Sequence, residues 1–145
     1  MHNWFECKIS CEKTTDDGIP KKNTESYLVD ALSFTEAEAR IIEEMRPFVS
    51  GEFTVVDIKR ARFAETFLNE VGDRFYRAKI KLITLDEKSG TEKETAVQML
   101  VQASTIHEAI SFLDQGMKGT LTDYVIASVT ETALMDVFKF ELTKQ

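Results

Sequence analysis

Two cysteines and two histidines are the residues from which a thiol nucleophile, an acid–base pair or a zinc centre would have to be built. Cys7 and Cys11 fall four apart on a strand-like segment, about 13 Å at the usual rise per residue. That is beyond the reach of a disulfide, and the pair lacks the turn-borne close spacing of a structural zinc site. They read as small core residues, which suits a reducing compartment. His2 stands at the terminus. His107 falls in the first turn of a predicted helix, where Thr35 holds the matching place in an earlier one, so neither imidazole is set up as the base of a triad. The acidic groups Asp16-Asp17, Glu36/Glu38 and Glu43-Glu44 have cation-binding chemistry, but their placement reads as solvated turn and helix faces. The six glycines form neither a phosphate loop nor a dinucleotide fingerprint. No catalytic residue, metal or cofactor is assigned.

One cluster stands out by charge. The chain carries a formal −7, yet residues 59–81 hold Lys59, Arg60, Arg62, Arg74, Arg77, Lys79 and Lys81 against Glu65, Glu70 and Asp73. The segment is thus +4 and the remainder −11. Its expected outward strand face adds Phe75, and Trp4 with Lys8 occupies the matching outer positions near the N-terminus. A cationic sheet face with aromatic platforms is one way to hold single-stranded nucleic acid, bases stacking while cations follow phosphates. The competing reading is that the aromatics fill a second layer or a dimer interface and the cations answer acidic helices. The overall pI near 4.9 favours the latter.

The elements that must position these residues occur twice. Trp4-Phe5-Glu6-Cys7-Lys8-Ile9 returns 71 residues later as Phe75-Tyr76-Arg77-Ala78-Lys79-Ile80. At a shift of 72, Gly18 pairs with Gly90 and Leu28-Val29-Asp30-Ala31 with Leu100-Val101-Gln102-Ala103. Each copy opens with alternation of period two (Phe5, Cys7, Ile9, Cys11; Tyr76, Ala78, Ile80, Leu82), a strand signal. A turn glycine follows (Gly18, Gly90), predicting a hairpin. Capping boxes, Ser33-x-x-Glu36 and Thr105-x-x-Glu108, announce a helix in each copy. The stripes Phe34/Ala37/Ile41/Met45 and Ile106/Ala109/Leu113/Met117 predict one buried face apiece. A long extended segment then follows (Phe53–Leu68; Tyr124–Phe138), its apolar parity shifting as at a bulge. Residues 69–73 are expected to turn the first of these into a central hairpin with the next strand, joining the copies.

The expected fold is therefore α+β: duplicated β-β-α-β units (about 3–68 and 74–140) in one pseudo-twofold domain spanning 1–145, with mainly antiparallel sheet and two packed helices. At 145 residues such a chain buries roughly 70% of its unfolded surface. Met1-His2-Asn3-Trp4 runs into a strand pattern without a signal-like apolar core, and no segment approaches the roughly 18 apolar residues of a membrane span. A cytoplasmic protein without membrane association is expected.

The runs Trp4-Phe5-Glu6-Cys7-Lys8-Ile9, Glu25 to Arg40, Thr84 to Gly90 and Met99 to Ala103 resemble an uncharacterised domain-of-unknown-function family of small bacterial proteins, typical of gut anaerobes. The resemblance implies no activity, ligand or site residue. Three readings follow. The leading one is a non-enzymatic binding or assembly domain that self-associates as a homo-oligomer or meets a protein partner. The second is a single-stranded nucleic-acid binder using Trp4, Lys8, Lys59, Arg60, Arg62, Arg74, Phe75, Arg77, Lys79 and Lys81. The third is a small-molecule site between the repeats.

Overall fold

The computed structural model describes residues 3–14, 16–49 and 51–139, leaving aside the side chains of Lys13 and Thr14. His2, and Phe140 at the end of the expected second repeat, lie outside the described residues. Among the described residues ten elements follow one another: β1 (Trp4–Thr14), β2 (Pro20–Asp30), α1 (Phe34–Met45), β3 (Phe53–Ala61), β4 (Glu65–Phe67), β5 (Arg74–Asp86), β6 (Thr91–Ala103), α2 (Ile106–Gly116), β7 (Asp123–Glu131) and β8 (Leu134–Phe138). They make two four-stranded sheets, ordered β3-β1-β2-β8 and β4-β6-β5-β7. The architecture is α+β, with the chain divided into two compact units, Met1–Arg62 with Ala133–Gln145, and Phe63–Thr132. No helix among the described residues is long and apolar enough to cross a membrane.

In the first unit, β1 and β2 form an antiparallel hairpin whose turn places Gly18 at φ 79, a region only glycine enters without strain. Ser33 caps α1 by accepting the Glu36 N–H at 3.1 Å, worth about 1 kcal/mol. The helix lays Ala37, Ile41 and Met45 on Phe5, Cys7, Ile9, Tyr27, Val29 and Ala31. Phe34, first of the expected stripe, remains half exposed and meets the Phe5 ring edge-on at 4.9 Å. Arg40 donates to the Asp30 carbonyl at 2.7 Å and to the Lys139 carbonyl at 3.1 Å, tying α1 to the end of β2 and to the chain just past β8.

The second unit repeats these local solutions. Gly90 turns the β5–β6 hairpin at φ 68, and Thr105 caps α2 through the Glu108 N–H at 3.1 Å. The Glu108 carboxylate reaches back to the Ser104 N–H at 3.0 Å. Ala109, Leu113 and Met117 cover Tyr76, Ala78, Ile80, Met99, Val101 and Ala103, while Ile106 lies outside the buried set. The parity shifts read from the sequence are β-bulges. Register slips opposite Lys8/Ile9, leaving Val56 of β3 unmatched, and opposite Lys79/Ile80, leaving Ala127 of β7 unmatched.

The expected central hairpin does not form. β3 pairs with β1, and β5 is already flanked on both sides by β6 and β7, so no edge of β5 is left for it. The segment Phe53–Leu68 instead breaks at residues 62–64, and β4 joins the second sheet as a parallel neighbour of β6. The segment Tyr124–Phe138 breaks at residues 132–133, and β8 joins the first sheet as a parallel neighbour of β2. Each sheet thus takes its fourth strand from the far half of the sequence. Phe138 of β8 packs on the first core and stacks on Tyr27 at 5.8 Å. Phe67 of β4 packs on the second core against Gly116, where a Cβ would stand 2.5 Å from the ring.

Candidate functional site

The basic segment is divided between the two units. Lys59 and Arg60 lie at the end of β3 and Arg62 just past it; Arg74, Phe75, Arg77, Lys79 and Lys81 lie on β5. Strand alternation does align Arg77, Lys79 and Lys81 on the face of β5 away from α2, opposite Thr130, Ser128 and Val125 of β7. Several of these cations are engaged. Lys59 meets Glu6 at 3.7 Å, Arg74 meets Glu131 at 3.6 Å and Lys81 meets Glu94 at 3.9 Å. Arg60 stands over the Phe5 ring at 5.3 Å and Arg77 over Phe63 at 5.7 Å. Lys8, Arg60, Arg62 and Lys79 are exposed.

The expected aromatic platforms are not at the surface: Trp4 is 3% exposed and Phe75 3%. A base needs an open ring face to stack, and neither ring offers one here. Alternation set both on the strand faces away from the helices, but it cannot report which part of such a face is covered: Trp4 and Phe75 are buried, while Lys8 and Lys79, farther along the same faces, are exposed. Leu28 and Leu100, on the same faces of the neighbouring strands, are likewise buried.

A polar cluster missed in the sequence sits on the α1 side of the first sheet. Cys11, Asn23, Glu25 and Tyr27 share a face through the β1–β2 register, in which Cys11 faces Asn23 and Cys7 faces Tyr27. The Glu25 carboxylate accepts from the Tyr27 hydroxyl at 3.2 Å, the Asn23 amide at 3.2 Å and the Cys11 thiol at 3.8 Å. The equivalent ladder positions of the second sheet carry Leu82, Thr95, Val97 and Met99. The signal was present, since running the parity of Tyr27, Val29 and Ala31 backwards puts Glu25 and Asn23 on the inward face. Nearby, an open groove of about 720 Å³ crosses the far ends of β1, β2 and β3, lined by residues including Cys11, Glu12, Lys22, Glu52 and Val56. Among the described residues no group of three or more His, Cys, Asp or Glu side chains is arranged to hold a metal ion. His107 is exposed on α2.

Burial, helped by the Glu6 charge, pushes the Cys7 thiol up to about 12. Burial, then the Glu25 carboxylate, pushes the Tyr27 hydroxyl up to about 12. Both groups are neutral when protonated, so a raised value means that the fold favours the protonated form. Their contribution is fully present below the ordinary values of 9.0 and 10.0 and is lost as the pH climbs toward 12. Cys7 should therefore act as an inert core thiol. In a Cys11→Ser variant, Ellman's reagent at pH 8 is expected to leave Cys7 untouched until denaturant is added. Labelling at the rate of the unfolded chain would show that β1 opens in the native state.

The outer strands of the two sheets differ in charge. β3 borders the first sheet and β7 the second, each nine residues long and hydrogen-bonded to one neighbour among the described residues. β4, at the other rim of the second sheet, has three residues. β3 carries Asp57, Lys59 and Arg60, charges of the kind that discourage edge pairing. β7 carries none between Asp123 and Glu131: its middle is Tyr124-Val125-Ile126-Ala127-Ser128-Val129-Thr130.

Two mostly antiparallel sheets, each backed by one capped helix and completed by a strand from the far half of the chain, define the class as an α+β protein. The chain belongs to the family described as Domain of unknown function (DUF4494), which matches residues 3–140. No curated protein and no solved structure matches the chain.

Proposed function

We propose that this protein is a non-enzymatic binding and assembly domain that associates with further copies of itself through a sheet edge. The observation that carries this reading is the pair of nine-residue rim strands, β3 and β7, each paired on one side only among the described residues. A strand rim presents a row of backbone donors and acceptors, and another strand is the partner that satisfies them best. The equivalent order of elements in the two units supports a duplicated, pseudo-twofold origin, with the final strand of each copy exchanged. Exchange of an identical element between protomers is a known route to dimers, and a fused pair of such protomers fits this topology. The reading includes the single domain and the cytoplasmic, bacterial setting expected above. The nucleic-acid alternative retains the exposed Lys8, Arg60, Arg62 and Lys79 but lacks the stacking surfaces it needs.

Sedimentation velocity of the full chain over a wide concentration range tests the proposal. A mass-action shift from monomer to a defined oligomer is the expected result. A single monomeric species at every concentration, in low and high salt, would remove it.

A further inference from the structure

We infer that β7 is the joint, and that its occupant is β7 of a second copy, paired antiparallel about a twofold axis to give a continuous eight-stranded sheet. This rests on the self-association reading and narrows it to one surface. The rims differ in what protects them. β3 is interrupted by Asp57, Lys59 and Arg60, while the seven residues from Tyr124 to Thr130 are uncharged and free of Pro and Gly. Val125, Ile126, Val129 and Thr130 are also β-branched, which suits a pleated surface. Val125 is 49% exposed.

The faces of β7 fix which residues must meet. Tyr124, Ile126 and Val129 pack on the α2 side, whereas Asp123, Val125, Ser128 and Thr130 lie opposite Ile83, Lys81, Lys79 and Arg77 on the other face. Two copies with their helices on the same side of the joined sheet match face to face in a particular register. Asp123 then stands opposite Thr130 of the second copy, Val125 opposite Ser128, and Tyr124 opposite Val129. No carboxylate meets a carboxylate in that register, and Glu131 is already held by Arg74 at 3.6 Å. The two bulges at Ala127 come together at the axis. The joint is self-limiting, because a twofold contact uses the same edge from both copies and the opposite rim, β4, is three residues long. With a net charge of −7 per chain, the copies repel at long range, so the dimer should tighten as salt rises.

The test uses two double variants of the full chain. Val125→Glu/Ser128→Glu sets acids against acids across the joint, while inside each copy the new acids face Lys81 and Lys79 and so leave the sheet itself supported. Val125→Glu/Ser128→Lys sets unlike charges across the same joint. Sedimentation velocity should show the first as a folded monomer and the second returned to dimer, with circular dichroism reporting the fold of both. If the di-acid variant stays oligomeric and Val56→Glu on β3 dissociates instead, the joint lies on β3: the inference fails while the self-association reading stands. A wild-type chain that is monomeric at all concentrations and salts would overturn both.

Discussion

Gly72→Ala is expected to cost roughly 3 kcal/mol or more and to lower the melting temperature by about 10 °C. Gly72 is buried just before β5, and a Cβ built there would stand 2.6 Å from the Cα of Ala103 and 2.7 Å from its amide nitrogen and carbonyl carbon. These obstacles are backbone atoms at the last position of β6, held in the ladder with Arg74, so they cannot rotate away. The Gly72 carbonyl also accepts from the Gln102 amide at 2.8 Å, fixing the entry of β5 from the other direction. Nothing about the φ of Gly72 demands glycine; the demand is steric. Gly116→Ala is the informative comparison, because its obstacle is the Phe67 ring on the short strand β4. A ring at the end of a side chain can give where a strand cannot, and a smaller loss is expected. Equal, near-zero losses in thermal unfolding of the two variants would show that β5 enters its sheet less tightly than its backbone contacts imply.

The second large effect is expected from removing the exchanged strand. A chain ending at Ala133 lacks β8, which closes one rim of the first sheet, pairs in parallel with Ser26 to Val29 and supplies Phe138 to the first core. Removal strips the Tyr27 ring of its stacking partner, takes away an acceptor of Arg40, the Lys139 carbonyl, and leaves β2 as a bare edge. Losing one core aromatic costs roughly 3 kcal/mol, and the missing ladder adds to it. The damage should fall on the first unit alone, since residues 63–132 keep all four of their strands. Hydrogen exchange read by mass spectrometry is the direct check: β1 and β2 amides should lose protection while β5 and β6 retain theirs. Unchanged protection in β1 and β2 would mean that β8 is dispensable to the first sheet.

A broad survey by alkaline titration complements these variants. The fall in stability between pH 10 and 12 that Tyr27 contributes should flatten in Tyr27→Phe. A curve identical to that of the parent would place the titration elsewhere.

Read along the chain, β1, β2, β5, β6 and both helices were legible because their signals are local. Period-two alternation, a glycine able to take φ 79 or 68, and a hydroxyl three residues before a glutamate act within a few residues of one another. The parity slips in Phe53–Leu68 and Tyr124–Phe138 were legible for the same reason and became the bulges at Val56 and Ala127. The uncharged run on β7 and the inward polar pair Asn23/Glu25 were equally visible, though only the register gave them meaning. Tertiary structure alone decided the rest. Which strand edge receives β4 or β8 depends on competition among edges far apart in sequence; because β5 had both sides filled, the expected central hairpin gave way to exchanged parallel strands. Alternation says that Trp4 and Phe75 share faces with lysines, but not that the faces are covered where these two rings lie, and their burial turned expected platforms into interior residues. Helical spacing placed Phe34 and Ile106 on the apolar stripes, yet the covered part of each helix begins only at Ala37 and Ala109. Local rules set what each segment becomes, because their energies act between near neighbours. Where a segment goes is set by long-range pairing and burial, which one strand's pattern does not contain.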